Sequence, residues 1–386
     1  MNIRSGKLRR GSLAAASALA LVIVLSFPGT GAGAAGAGPR GIVLMIGDGM
    51  GVSHLTAAFV RGGGLEIERM TTCGLVRTFP AAGLVTDSAA SATAYATGHS
   101  TLNGMISIAP DGDTLRTVLE LAEEIGMRTG LVATSSLTHA TPAAFASHVG
   151  SRSSEDEIAG QIAASGVDLL IGGGRGWFVP AGSSGSRRKD GIDLIPLLEK
   201  GAGLAGSLEE LAEMRDEGRG VLFLADGHCP PVSGREHTLA RLTSVALEVL
   251  SGKGPGFFLM VEGSQIDWEA HDGDADGVAA ETLDFDRAVG AALDFAEADG
   301  KTLVIVTSDH ETGGFSVLDG SLERGSVDET VFGTDGHTAS MVPVFAGGPG
   351  SSRFAGMMDN TRIGAILIDL VEEIGRGRGC PRSTLR

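Results

Sequence analysis

Gly41-Ile42-Val43-Leu44-Met45-Ile46-Gly47-Asp48-Gly49-Met50-Gly51 is the stretch on which the architecture turns. Residues 41–46 carry no polar side chain. A continuous apolar run of this length suits a strand covered on both faces, as in a parallel sheet between helix layers. It stops at an acid set between glycines. Gly47 and Gly49 fit a dinucleotide-binding fingerprint, but Val52 stands where the third glycine belongs, so that reading fails.

Working outward, the same kind of run recurs at 129–134, 167–171, 221–224, 257–261 and 303–307, with a last short one at 342–345. Between them, apolar residues at helical spacing mark 114–125, 158–164, 237–250, 281–298 and 363–374. Strands alternating with helices predict an α/β fold, doubly wound, with a mostly parallel central sheet and helices on both faces. No internal repeat and no linker after residue 40 is visible. Residues 182–190 read as a polar surface loop, and the Arg/Gly-rich tail from Arg376 as frayed.

The chain has 386 residues, 60 of them glycine, and a net charge of −17. That acidity excludes a nucleic-acid backbone as partner, which needs a basic footprint. It also means that a bound phosphate would need local positive charge from metal or arginine. Arg4, Lys7, Arg9 and Arg10 precede an apolar stretch at 13–27, with Ala-x-Ala at 32–34 and again at 35–37. This predicts an export signal and Gly/Ala linker over 1–38, a single domain over 39–386, and a periplasmic or extracellular protein with no stable membrane span after cleavage. The alternative is an uncleaved anchor. Cys73, Cys229 and Cys380 allow one disulfide at most, so this is not a disulfide scaffold.

Acids follow the apolar runs: Asp48, Asp87, Glu262 and Asp309. In open α/β sheets the carboxyl ends of the strands form the ligand crevice. Acids gathered there would repel one another unless a divalent cation sat among them. A short apolar run at 82–85, read as a strand end, passes through Thr86-Asp87-Ser88-Ala89-Ala90 into an Ala-rich helix, with Ser88 at its N-terminus. There Ser88 is either a plain cap or a nucleophile beside an anion-binding helix end. Asp267 and His271 stand i, i+4, either as half of a zinc site or as a solvated polar face. Asp272-Gly273-Asp274-Ala275-Asp276-Gly277 lacks the terminal Glu of a calcium loop, since Leu283 is its twelfth residue, and reads as exposed loop. Asp309-His310 lies in a turn from which both side chains can reach one ion, and His337 lies in a polar turn before a strand. His54, His99, His148, His228 and His237 have no ligand partner at a useful spacing and read as structural or surface residues.

Five motifs stand in one order: Ile46-Gly47-Asp48-Gly49-Met50; Thr86-Asp87-Ser88-Ala89-Ala90-Ser91; His139-Ala140-Thr141-Pro142 with Arg152; Glu262, Asp267 and His271; and Asp309-His310 with His337. In this the chain resembles the alkaline phosphatase family, over residues 41–350. The resemblance implies hydrolysis of small-molecule phosphate monoesters through a covalent phosphoserine, with two zinc ions and one magnesium ion. It implies Ser88 as nucleophile and Arg152 as phosphate clamp. Asp267, His271 and His337 would hold one zinc, and Asp48, Asp309 and His310 the other. Asp48, Thr141 and Glu262 would hold magnesium. His139 stands where some members carry Asp, and Trp268 where those carry Lys, so His139 is a further candidate ligand at the third site. The short span from His310 to His337 implies a reduced or absent crown insertion. The family is often dimeric. Three other readings compete. A related phosphodiesterase or phosphoglycerate mutase is the nearest. A sulfatase is disfavoured because Cys229-Pro230-Pro231-Val232-Ser233 lacks the needed arginine. A secreted metal- or phosphate-binding protein without turnover would have no use for the serine.

Overall fold

The computed structural model describes residues 38–214, 219–252 and 254–380. The run at Gly41 forms strand β1 (Gly41–Gly47), buried throughout. Side chains of a strand alternate between faces, and here the two faces feed two cores. Ile42, Leu44 and Ile46 enter one apolar cluster, Val43 and Met45 the other. Full burial of each such side chain contributes about 1.5–3 kcal/mol, which is why the run carries no polar side chain.

The other strands are Thr72–Arg77 (β2), Arg128–Ser136 (β3), Leu169–Gly173 (β4), Ala202–Leu204 (β5), Arg219–Phe223 (β6), Phe257–Gly263 (β7), Thr302–Thr307 (β8), Glu311–Thr312 (β9), Ser316–Ser321 (β10), Ser326–Val331 (β11), His337–Thr338 (β12), Val342–Gly347 (β13) and Gly356–Asp359 (β14). A ten-stranded sheet has the order β14-β2-β13-β8-β1-β7-β3-β4-β6-β5. Within it β13 alone pairs antiparallel, to β8 and β2; the other pairings are parallel. β10–β11 and β9–β12 form two small antiparallel pairs, so the span from His310 to His337 holds a short hairpin.

The helices, in chain order, are Val52–Gly62 (α1), Ser88–Thr97 (α2), Val118–Glu124 (α3), Ala140–Ala146 (α4), Glu155–Ala164 (α5), Ile195–Gly201 (α6), Leu208–Glu213 (α7), Leu239–Leu250 (α8), Gln265–His271 (α9), Ala275–Asp299 (α10) and Asn360–Arg376 (α11). Side chains of α2–α6 and α11 pack in the first core, and those of α7–α10 in the second. A third, smaller cluster joins Ala57 of α1 to Ala270, Val278 and Phe315. The sheet therefore has helices on both faces, as the alternation predicts.

Several local expectations are corrected. The helix expected from 114 starts at Val118, because Thr117 caps it and Glu120 closes a capping box. The acidic stretch after Asp272 is not all loop. Asp274 accepts hydrogen bonds from the amides of Asp276 and Gly277, so α10 begins at Ala275. The loop at 182–190 is pinned rather than free. Arg188 is buried, forks onto Asp190 at 2.7 and 2.8 Å, and donates to the Trp177 carbonyl at 2.9 Å. Residues 82–85 form no strand: Leu84 and Val85 are 63% and 43% exposed. α1, α4, α6 and α7, and the strands β2, β5, β9–β12 and β14, have no counterpart among the expected elements. All three cysteines are free. Residues 1–37 of the stretch read as an export signal, and the tail after Cys380, lie outside the described residues. Among the described residues no helix is long and apolar enough to cross a membrane.

Candidate active site

Three adjacent strands set the site. In register, Ile46 of β1 sits beside Glu262 of β7 and Thr307 of β8. Asp48, Glu262 and Asp309 therefore emerge side by side at one sheet edge. All three are fully buried. Gly49 makes this possible. Its φ is +74°, and a Cβ there would lie 2.8 Å from Asp267 Cα. Glycine tolerates both the angle and the approach. The Gly49 amide donates to Asp309 Oδ1 at 3.0 Å, as does the amide of His310.

β3 bends at its end, where its register with β4 slips, and Ser135 Oγ donates to Glu262 Oε2 at 3.0 Å. His139 then caps α4, which buries Thr141 beside the acids. From the other side, α9 presents Asp267 and His271 one turn apart, the spacing that put both on one face. β12 brings His337 back against β9.

Three groups of possible ligands result: Asp267, His271 and His337; Asp48, Asp309 and His310; and Asp48, His139 and Glu262. The first has a proton pattern that calls for a cation. His271 Nδ1 faces the Asp335 carbonyl, and His337 Nδ1 the Thr86 carbonyl at 2.9 Å. A carbonyl only accepts, so both Nδ1 atoms carry the proton and both Nε2 atoms present lone pairs. Those Nε2 atoms are 3.2 Å apart, and Asp267 Oδ1 lies 3.4 and 3.6 Å from them. Its hydrogen bond to Asp267 pushes His271 up to about 9, so without a metal the ring takes up a proton instead. Burial works against the Asp267 carboxylate, but the His271 bond and the rings of His310 and His337 outweigh it and hold its pKa below the usual range.

The second group centres on His310, whose Nε2 lies 3.4 Å from Asp48 Oδ1 and 3.2 Å from Asp309 Oδ2. Its Nδ1 is 3.1 Å from Thr312 Oγ1, and its ring stacks on His337 with centroids 3.5 Å apart. Burial lowers its pKa. Burial, and then Asp309, push Asp48 well above the carboxylate range, and burial pushes Glu262 up to about 7. Both Asp48 oxygens, Glu262 Oε1, Asp309 Oδ2 and Thr141 Oγ1 are buried with no hydrogen-bond partner. Each such oxygen costs about 1–3 kcal/mol or more unless something pairs with it.

Ser88 is the first residue of α2, and Asp87 is the N-cap, accepting from the Ala90 amide at 2.9 Å. This corrects the placing of Asp87 after a strand: it reaches the site as a helix cap. Ser88 Oγ lies 3.3 Å from His310 Nε2. The Tyr95 hydroxyl ties α2 to the end of β8, donating to the Ser308 carbonyl at 2.6 Å. Arg152 stands beside the serine, with Nη1 3.2 Å from Asp87 Oδ2 and Nη2 3.0 Å from His139 Nε2. Burial and the Arg152 charge bring His139 down to about 3, so its ring is neutral.

Every residue singled out from sequence thus lies at this edge: Ser88, Arg152, Asp48, Thr141, Glu262, Asp267, His271, Asp309, His310, His337 and His139. Two participants were missed: Thr312 donates to Asp267, and His228, read as structural or surface, stands edge-on to Trp268 with ring centroids 4.7 Å apart. Asp87, placed among the crevice acids without a role of its own, accepts from Arg152. Of the two that were missed, only Thr312, two residues past His310, carried a local signal.

The sequence profile of the alkaline phosphatase family matches residues 39–328. Alkaline phosphatase 3 of Bacillus subtilis (strain 168) is 34% identical over 84% of this chain and 87% of its own length. The streptomycin-6-phosphate phosphatase of Streptomyces griseus is 35% identical over 84% and 88%. The structure of alkaline phosphatase from the Antarctic bacterium TAB5 superposes with a TM-score of 0.81 at 37% identity, covering 87% of this chain and 98% of that one. A histidine-to-aspartate variant of the TAB5 enzyme, with Mg bound in the M3 site, gives 0.80 at 37% identity and the same coverage. Taken with three groups of ligand residues around a helix-capping serine, these likenesses make the chain a member of the alkaline phosphatase family and a phosphate-monoester hydrolase.

Proposed function

We propose that hydrolysis runs through a covalent phosphoserine on Ser88, with two zinc ions and one magnesium ion in place. The observation that carries this reading is the Ser88 hydroxyl, 3.3 Å from His310 Nε2 at the N-terminus of α2.

The residues fit the metals. Two imidazole lone pairs and a carboxylate at Asp267, His271 and His337 form a zinc-type donor set that leaves a position open. Asp48, Asp309 and His310 suit a second zinc. Asp48, Glu262 and Thr141, with three unpaired carboxylate oxygens and an unpaired hydroxyl, suit a hard cation such as magnesium, with His139 as an additional donor. When bound, such cations supply Lewis-acid charge to phosphoryl oxygens and ease deprotonation of an oxygen nucleophile.

The chain's own groups do the rest. Arg152 offers its forked N–H donors to two phosphate oxygens, and Asp87 holds that fork in place. The free amides of α2 face the same anion. Ser88 Oγ attacks phosphorus; the Oγ–P bond forms, the bond to the ester oxygen breaks, and the alcohol leaves with a proton. It departs opposite Ser88, on the side of Asp267, His271 and His337, where His271 is partly exposed. Water enters from that side, breaks the Oγ–P bond and restores the hydroxyl, releasing inorganic phosphate.

Residues 39–386 are taken as the catalytic domain and 1–38 as an export signal, on the basic and apolar pattern of the N-terminus. The test of the reaction is Ser88→Ala. Stable phosphoenzyme is expected from wild type quenched in acid and none from the variant, with turnover of p-nitrophenyl phosphate lost. Phosphoenzyme in the variant overturns the assignment. Faster hydrolysis of bis-p-nitrophenyl phosphate than of the monoester overturns the substrate class.

A further inference from the structure

Beyond the reacting groups, one cation beside the site has no partner. Arg187 is exposed, and among the described residues its guanidinium makes no ion pair within 4.0 Å. It is not loosely presented. Its amide donates to the Gly176 carbonyl at 2.9 Å, and the next residue is the buried, forked Arg188. Its guanidinium lies over Gly227: a Cβ there would be 2.5 Å from Nη2, 3.1 Å from Cζ and 3.3 Å from Nε.

His228 is the next residue. Its Nδ1 accepts the Ser136 amide at 3.0 Å, so the proton is on Nε2, a donor turned to no protein partner among the described residues. The ring stands edge-on to His139, centroids 5.7 Å apart, and His139 Nε2 is 3.0 Å from Arg152. Two imidazole rings thus separate Arg187 from Arg152. The loop is anchored from behind. Arg235 pairs with buried Glu281 and Asp284 at 2.8 and 2.7 Å, and Gln265 Nε2 donates to the Cys229 carbonyl at 2.8 Å. Of the acids nearby, Glu155 accepts from the Thr138 hydroxyl at 2.6 Å and feels the Arg187 charge from beyond ion-pair distance, and Asp226 pairs with Arg175 at 3.1 Å.

We propose that Arg187 and His228 form a second phosphate subsite at the rim of the active site. It takes the distal phosphate of a small molecule that carries two phosphate groups. The inference rests on Ser88 and Arg152 holding the reacting phosphate. An exposed guanidinium with a charge-assisted bond favours the doubly phosphorylated substrate by about twofold to fivefold per reacting group.

The test compares butane-1,4-diol bisphosphate with butyl phosphate, whose leaving groups are alike. For the metal-loaded full chain, kcat/KM per phosphate is expected to favour the bisphosphate by that factor at low ionic strength, and less as salt screens the contact. Arg187→Ala is expected to bring the ratio to near one. Gly227→Ala, which keeps the charge but displaces the guanidinium, is expected to lower it too; Arg187→Lys retains part of it. Hydrolysis of both compounds with no preference in wild type, or a preference that survives Arg187→Ala, overturns the subsite and leaves the reaction standing. Failure to hydrolyse either overturns the reaction. The subsite is then decided by calorimetric binding of the two compounds to Ser88→Ala with and without Arg187→Ala: tighter binding of the bisphosphate that Arg187→Ala removes upholds it, and equal binding rejects it.

Discussion

Glu262→Gln separates the two demands placed on the buried acids. Without divalent cations, burial pushes Glu262 from an ordinary 4.5 up to about 7. The folded chain then binds the proton more tightly than the unfolded one. The stabilisation is fully present below pH 4.5 and is lost as pH rises through about 7. That interval corresponds to about 3 kcal/mol. Gln has the shape of the protonated acid and cannot ionise. In metal-free protein at pH 8 the variant is therefore expected to be more stable than wild type by up to about 3 kcal/mol, with the two converging near pH 5. His54, lowered by burial to about 4, titrates in the same region with the opposite sign, but it lies outside the ligand group of Glu262 and is common to variant and wild type. Loaded with zinc and magnesium, the order reverses, because the ionised carboxylate is then the ligand. Urea unfolding followed by near-ultraviolet circular dichroism at pH 5 to 8, on protein dialysed against chelator and on reloaded protein, measures both. A variant less stable than wild type in metal-free buffer at pH 8 would refute the reasoning.

With Arg152 as the proposed phosphate clamp, Arg152→Ala is expected to lower kcat/KM for p-nitrophenyl phosphate about 10²- to 10³-fold, with weaker inhibition by inorganic phosphate; a threefold loss contradicts the clamp. Gly49→Ala forces φ = +74° on a residue with a Cβ 2.8 Å from Asp267 Cα. It is expected to cost about 1–3 kcal/mol and to release zinc, measured by melting and metal content; an unchanged zinc content rejects the role given to that glycine. His139→Asp replaces a neutral ring by a hard oxygen donor and is expected to raise magnesium affinity several-fold at the third site, read by titration calorimetry. Equal affinity would remove His139 from the ligand set.

Much of this was legible locally. The apolar runs of β1, β7 and β8 are buried on both faces, and a run of that kind has few alternatives. The acids after them, and the Asp267–His271 spacing, follow from where a strand ends and how a helix turns. What local pattern could not show is pairing across the chain. Leu84 and Val85 look like a strand but lie exposed. Asp87 is tied to Arg152, 65 residues on, and the polar loop at 182–190 conceals the buried fork of Arg188. No spacing relates His228 to Trp268 or His139.

The sequence by itself determined the central strands, most of the longer helices, their alternation and the residue types able to bind metal and phosphate, because periodicity, caps and glycines act over a few residues. Only the tertiary structure decided which of those residues meet. The order β8-β1-β7-β3 brings Asp309, Asp48, Glu262 and Ser135 to one edge, and it is set by how side chains far apart in the chain fill two cores. Such packing is a property of the whole chain, and no short stretch contains it.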